Sequence, residues 1–235
     1  MKNIFLVDVD DTILDFHASS AAALRYAFSK NAIEWTEELA SLYQIFNDSL
    51  WRGLEEKKIT RAEILSFRFT YFFESLGRKE VDGEAVNRDY LQYISTHPLY
   101  IDGAEDFLKE LGKLGRVYFV TNGTEKIQKS RFEIANLYSY AEKTFISEVV
   151  GFDKPAKEYT EYVLSQIEDF NRERTVWIGD SLSADIKSAI DAGIMSIWFH
   201  PKKKTFKNKV ERSKSTLIPD YEVEDYQEIL KIVKK

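Results

Sequence analysis

Short apolar runs alternate with helical stretches along most of this chain. Ile4-Phe5-Leu6-Val7 is an uninterrupted apolar run ended by acids, the pattern of a strand buried on both faces. Val117-Tyr118-Phe119-Val120, Val176-Trp177-Ile178 and Ser196-Ile197-Trp198-Phe199 repeat it, and Thr144-Phe145-Ile146 is a weaker version. Between them the apolar positions take helical spacing. Phe107, Leu108, Leu111 and Leu114 predict a helix over about 103–114. Ile127, Ile134 and Leu137 predict one over 125–137; Tyr159, Val163, Leu164 and Ile167 one over 156–168. Ile186, Ala189 and Ile190 predict a helix over 183–192 that Gly193 stops. Strands alternating with helices of this length predict an α/β fold, a Rossmann-like doubly wound parallel sheet.

Residues 15–97 break the alternation. No buried strand is legible there, and the pattern predicts helices over about 17–30, 36–54, 60–77 and 82–96. Thr60, with Glu63 three residues on, reads as a capping box, and Asp82 as a cap for the last helix. A helical block right after the first strand predicts an all-helical cap inserted into the sheet domain. The expected division is a core of 1–14 and 98–235 and a cap of 15–97, with hinges near Asp15–His17 and Thr96–Asp102. In the cap, Leu65, Phe69, Phe72, Phe73 and Leu76 form one helical stripe, the expected cap core. The basic stretch 201–214, with Lys202, Lys203 and Lys204, reads as a surface loop.

Composition narrows the function. The 235 residues carry a net charge of −6, which argues against binding to a nucleic acid polymer. The chain has no cysteine, which excludes disulfides, thiolate zinc sites and cysteine nucleophiles. No stretch approaches the roughly 20 apolar residues that span a bilayer, and Ile4–Val7 is too short for a signal segment. The expectation is a cytoplasmic protein with no membrane partner.

Candidate chemistry lies where the predicted strands end, since open α/β sheets bind ligands beyond their carboxyl edge. The first strand delivers Asp8-Val9-Asp10-Asp11-Thr12 and the second Thr121-Asn122-Gly123. The run at Ile146 leads to Asp153-Lys154-Pro155, and Ile178 to Gly179-Asp180-Ser181, with Asp185 a turn later. Carboxylates aimed at one point repel unless a cation offsets them. Hard oxygen ligands without His or Cys suit Mg²⁺. Lys154 adds a fixed positive charge, placed by Pro155 as the first residue of the next helix. Metal, lysine, hydroxyl and backbone N–H groups together suit a phosphoryl group, with one carboxylate left as nucleophile.

DVDDT at 8–12, TNG at 121–123, Lys154 before Pro155 and GDSLSAD at 179–185 resemble the haloacid dehalogenase superfamily in all four of its motifs, in order. The resemblance implies a Mg²⁺-dependent phosphatase working through an aspartyl-phosphate. It implies Asp8 as nucleophile and metal ligand, and Asp10 as general acid/base whose carbonyl also meets the metal. Thr121, Asn122, Gly123 and Lys154 are the implied phosphate-binding residues, Asp180 a metal ligand, and Asp185 a supporting acid. Dehalogenases of the superfamily lack an acid two residues after the nucleophile, so Asp10 argues against that activity. The DxDDT form resembles bacterial nucleotidases that clear modified pyrimidine monophosphates, implying a small phosphate monoester as substrate, a pyrimidine nucleoside 5′-monophosphate first. The alternatives are a sugar phosphate or phosphoglycolate phosphatase, a phosphomutase and, remotely, a non-enzymatic binding protein.

Overall fold

The computed structural model describes residues 3–201 and 215–234, so the basic run at Lys202–Lys204 lies outside the described residues. The chain divides into two compact units, Met1–Asp15 with Leu99–Lys235, and Phe16–Pro98.

The first unit is built on six parallel strands: β1 (Asn3–Val7), β2 (Gly115–Thr121), β3 (Lys143–Ile146), β4 (Thr175–Gly179), β5 (Met195–Phe199) and β6 (Tyr221–Val223). Their order is β3-β2-β1-β4-β5-β6. Val7 lies opposite Phe119 on one side and Ile178 on the other, so β1 is central. The connections diverge between β1 and β4, the switch point where such sheets open a crevice. Side chains of β1 alternate between two cores. Phe5 and Val7 join Phe107, Leu111, Phe119 and Ile178 on one face. Ile4 and Leu6 join Val120, Tyr159, Val163 and Trp177 on the other. Both faces are covered, which is why the strand reads as an unbroken apolar run. Burying each such side chain contributes about 1.5–3 kcal/mol.

The second unit holds helices α1 (Phe16–Lys30), α2 (Glu37–Glu55), α3 (Arg61–Ser75) and α4 (Gly83–Thr96). The expected caps form. Thr60 Oγ1 accepts from Glu63 N at 3.2 Å while Glu63 Oε2 accepts from Thr60 N at 2.8 Å, and Asp82 accepts from Ala85 N at 3.0 Å. Tyr43 stacks on Phe69 at 4.6 Å and meets Phe72 edge-on at 5.3 Å. Phe69, Phe72 and Phe73 are buried as the stripe predicts, but Leu76 at its end is exposed.

Among the described residues, the remaining α-helices of the first unit are α5 (Ala104–Leu114), α6 (Glu125–Ile134), α7 (Ser147–Val150), α8 (Lys157–Ser165), α9 (Lys187–Ala192) and α10 (Tyr226–Val233). Two departures from the apolar pattern matter. The buried face of α6 is Gln128, Arg131 and Phe132, while Ile134 is exposed. Pro155 does not open α8: Ala156 N donates to Asp153 O at 2.7 Å, closing a turn over Lys154 and Pro155, and the helix begins at Lys157. The Lys154–Pro155 peptide is cis. The sequence reading does not predict β6, a three-residue edge strand carrying Glu222, or α10, although its Tyr226, Ile229, Leu230 and Val233 follow helical spacing behind the Asp225 cap.

Candidate active site

The site is assembled at the carboxyl ends of β1, β2 and β4 and in the segment that follows β3. Asp8 continues β1 by one rung, its N–H donating to Ile178 O at 2.9 Å. The chain then turns tightly: Ile13 N and Leu14 N both donate to Val9 O at 2.8 Å. Asp11 sits in this turn with φ 65°, a conformation that Asp and Asn tolerate better than most residues. Tyr226 of α10 fixes the turn from below. Its ring stacks between Phe107 and Phe199, and its hydroxyl donates to Thr12 O at 2.7 Å.

Lys154 is the charge centre. Its ammonium donates to Asp8 Oδ1 at 2.7 Å, Asp185 Oδ1 at 2.7 Å and Val120 O at 3.0 Å. An ammonium has three protons, so each is committed. Burial works against this charge, but the carboxylates of Asp185 and Asp8 outweigh it and hold the lysine above its ordinary range. Asn122 places the lysine's backbone: its Oδ1 accepts from Lys154 N at 2.8 Å and its Nδ2 donates to Lys154 O at 2.9 Å. The Asn122 side chain therefore serves Lys154.

Asp185 belongs to a π-helical turn, Leu182–Ile186. Its Oδ2 accepts from Ser181 N at 3.2 Å, and its Oδ1 takes the Trp177 indole N–H at 3.3 Å. The turn packs so closely on β4 that a Cβ at Gly179 would lie 2.3 Å from the Asp185 Cγ. Glycine is the residue that lets this carboxylate approach. Asp180 is held at the end of β4, where its carbonyl accepts from Trp198 Nε1 at 2.7 Å.

Asp8, Asp180 and Asp185 bring one carboxylate oxygen each to within 4.8 Å of one another. Three carboxylates against one ammonium leave an excess of two negative charges when all are ionised. Burial pushes the Asp8 carboxyl well above the usual carboxylate range. Lys154 opposes that shift, and Asp185 and Asp180 add to it. Asp8 Oδ2 is buried with no hydrogen-bond partner, a deficit that ordinarily costs about 1–3 kcal/mol. A hard cation answers both the excess charge and the orphaned oxygen, so this acidic cluster fits a metal ion.

Thr121 ends β2 with its hydroxyl oxygen accepting from Gly123 N at 3.1 Å and Gln128 Nε2 at 2.8 Å. Both lone pairs are used, which leaves the hydroxyl proton for an anion. Asp10 accepts from Arg131 Nη1 at 2.6 Å on Oδ1 and from Gln128 Nε2 at 2.8 Å on Oδ2. The sequence reading brings Asp8, Lys154, Asp180 and Asp185 to one cluster, as in the structure; the link from Thr121 to Asp10 through Gln128 is seen only in the structure. The sequence reading misses Gln128, Arg131, Trp177 and Tyr226. For Gln128 and Arg131 the legible signal is two polar residues three apart on the inward face of a helix that follows a motif.

Residues 2–193 match the haloacid dehalogenase-like hydrolase family. The chain is 39% identical over 228 residues to the HAD-hydrolase YfnB of Bacillus subtilis, covering 97% of this chain and 94% of that protein. It is 34% identical over 231 residues to the pyrimidine 5′-nucleotidase PynA of Streptococcus pneumoniae, covering 98% and 94%. It is 28% identical over 193 residues to the pyrimidine 5′-nucleotidase YjjG of Escherichia coli, covering 82% and 84%. A crystal structure of YfnB bound to magnesium superposes with a TM-score of 0.88, covering 100% of this chain and 99% of that one at 35% identity. No helix among the described residues is long and apolar enough to cross a membrane. The four motifs, the sheet that carries them and these relatives agree: the chain is an enzyme of the haloacid dehalogenase-like hydrolase family.

Proposed function

We propose that this protein is a Mg²⁺-dependent phosphatase that hydrolyses pyrimidine nucleoside 5′-monophosphates, with residues 15–97 acting as its cap. The observation that carries the phosphatase reading is the placement of Asp8: a buried carboxylate with one oxygen held by Lys154 and the other without a partner. The pyrimidine reading draws support from PynA, which matches nearly the whole chain.

Asp8, Asp180 and the Asp10 carbonyl would hold the metal, with Asp185 behind them. Bound there, Mg²⁺ offsets the carboxylate charge and draws electron density from the phosphoryl group. The protein's own groups do the rest. Thr121 donates its hydroxyl proton to a phosphoryl oxygen. Lys154 keeps Asp8 oriented and its charge tempered. A carboxylate oxygen of Asp8 forms a bond to phosphorus as the P–O bond to the leaving group breaks, and Asp10 gives a proton to the departing alkoxide. A water molecule then attacks phosphorus, its proton passes to Asp10, the P–O bond to Asp8 breaks, and inorganic phosphate leaves. Asp10 returns with its proton for the next cycle.

A panel of esters tests the reading. UMP, dUMP and dTMP, with and without Mg²⁺, should give higher kcat/KM than sugar phosphates or phosphoglycolate, and chelation should abolish release of phosphate. A sugar phosphate or phosphoglycolate as the best substrate would overturn the nucleotidase assignment while leaving the phosphatase one.

A further inference from the structure

Helix α6 buries a polar face against the site. Arg131 and Gln128 are each about 1% exposed. Burying such groups costs several kcal/mol unless their hydrogen bonds are met, and a helix that served packing alone would place apolar side chains there. Their bonds instead run to each other and to two residues of the site. Arg131 Nη1 donates to Asp10 Oδ1 at 2.6 Å and to Gln128 Oε1 at 2.7 Å. Gln128 Nε2 donates to Asp10 Oδ2 at 2.8 Å and to Thr121 Oγ1 at 2.8 Å. Both oxygens of one carboxylate are thus gripped from one helix, one turn apart, and the same glutamine reaches the threonine at the end of β2. The backbone is shaped for that reach, since a Cβ at Gly123 would lie 2.4 Å from Gln128 Cγ. Asp10 remains about one quarter exposed on its side chain, so its free side is open while its anchored side is buried.

We propose that Arg131 and Gln128 are positioning residues that hold the Asp10 carboxylate in line for proton transfer and lock its placement to that of the Thr121 hydroxyl. The charged Arg131 bond is the stronger anchor, and Gln128 sets the distance between the proton-transferring and phosphate-binding groups. The proposal rests on the phosphatase reading above. It assigns these two residues no contact with substrate.

Leaving-group dependence tests it. Phenyl phosphate needs a proton delivered to its leaving oxygen, whereas 2,4-dinitrophenyl phosphate expels a stable phenolate unaided. With Asp8 as nucleophile, kcat/KM covers steps only up to departure of the leaving group. Arg131→Met should lower kcat/KM on phenyl phosphate by roughly 10²-fold, the scale of general acid catalysis, and on the dinitrophenyl ester by less than about 5-fold. The later water step is shared, so kcat on the dinitrophenyl ester should fall and a burst of dinitrophenolate should appear. Arg131→Lys, which keeps one charged donor, should recover part of the loss. Equal losses of kcat/KM on the two esters would overturn the proposal. Should Arg131→Met fail to fold, Gln128→Leu carries the same test, because it removes the Oδ2, Thr121 and Arg131 contacts of Gln128 and leaves the Arg131 bond to Asp10 Oδ1; selective loss supports the proposal and equal loss overturns it. Wild-type enzyme inactive on both esters would instead sink the phosphatase reading, and the positioning role with it.

Discussion

Lys154 and Arg68 are equally buried, each 2% exposed, yet they keep opposite company. Lys154, in the sheet unit, meets two carboxylates within 2.7 Å. Arg68, in the helical unit, donates from Nε to Asn87 Oδ1 at 3.0 Å and lies 4.7 Å from the Tyr90 ring centroid. No carboxylate among the described residues forms an ion pair with it. The first cation is outnumbered by acids, the second held by dipoles and rings. The sheet unit surrounds its buried ammonium with more carboxylates than one lysine can offset. The helical unit keeps its charge among neutral groups, with Arg68 Nη2 buried and without a hydrogen-bond partner.

Substitutions at these two positions separate the cases. Lys154→Met leaves Asp8 and Asp185 buried together without their counter-charge, so it should cost about 3–5 kcal/mol of stability, measured by urea unfolding of the metal-free protein. Turnover should drop roughly 10³-fold, as when a preorganised electrostatic group is lost. Arg68→Met exchanges a charge for an apolar chain of similar length. Its unfolding free energy should stay within about 1 kcal/mol of the parent, because it leaves no buried charge uncompensated and gives up one hydrogen bond to an amide. A loss at Arg68 equal to that at Lys154 would break the comparison and show that rings and an amide anchor a buried cation as firmly as carboxylates do.

The strands that carry the site were legible because β1, β2, β4 and β5 are covered on both faces and read as continuous apolar runs. The acids were legible because each stands where such a run stops. The helix ends at Thr60 and Asp82 were legible because capping is local chemistry. What stayed hidden obeys other rules. In α6 the inward residues are Gln128, Arg131 and Phe132, so a pattern built on Ile127 and Ile134 points the helix the wrong way. β6 is short, at an edge and partly polar, so no buried run marks it. Tyr226 reaches Thr12 from 214 residues away in sequence, a link that only the folded sheet unit creates. The turn over Lys154 and Pro155 was obscured because proline at the first helical position is the commoner arrangement.

If Asp8 is the nucleophile, it carries the phosphoryl group between the two steps. Acid quenching during turnover, reduction of acyl phosphates with borohydride and peptide mass spectrometry read this directly. Homoserine should appear at position 8 in enzyme quenched with substrate, and not in enzyme quenched without it. Active enzyme whose Asp8 stays unmodified, or whose label appears at Asp10, Asp180 or Asp185, would contradict Asp8 as the nucleophile.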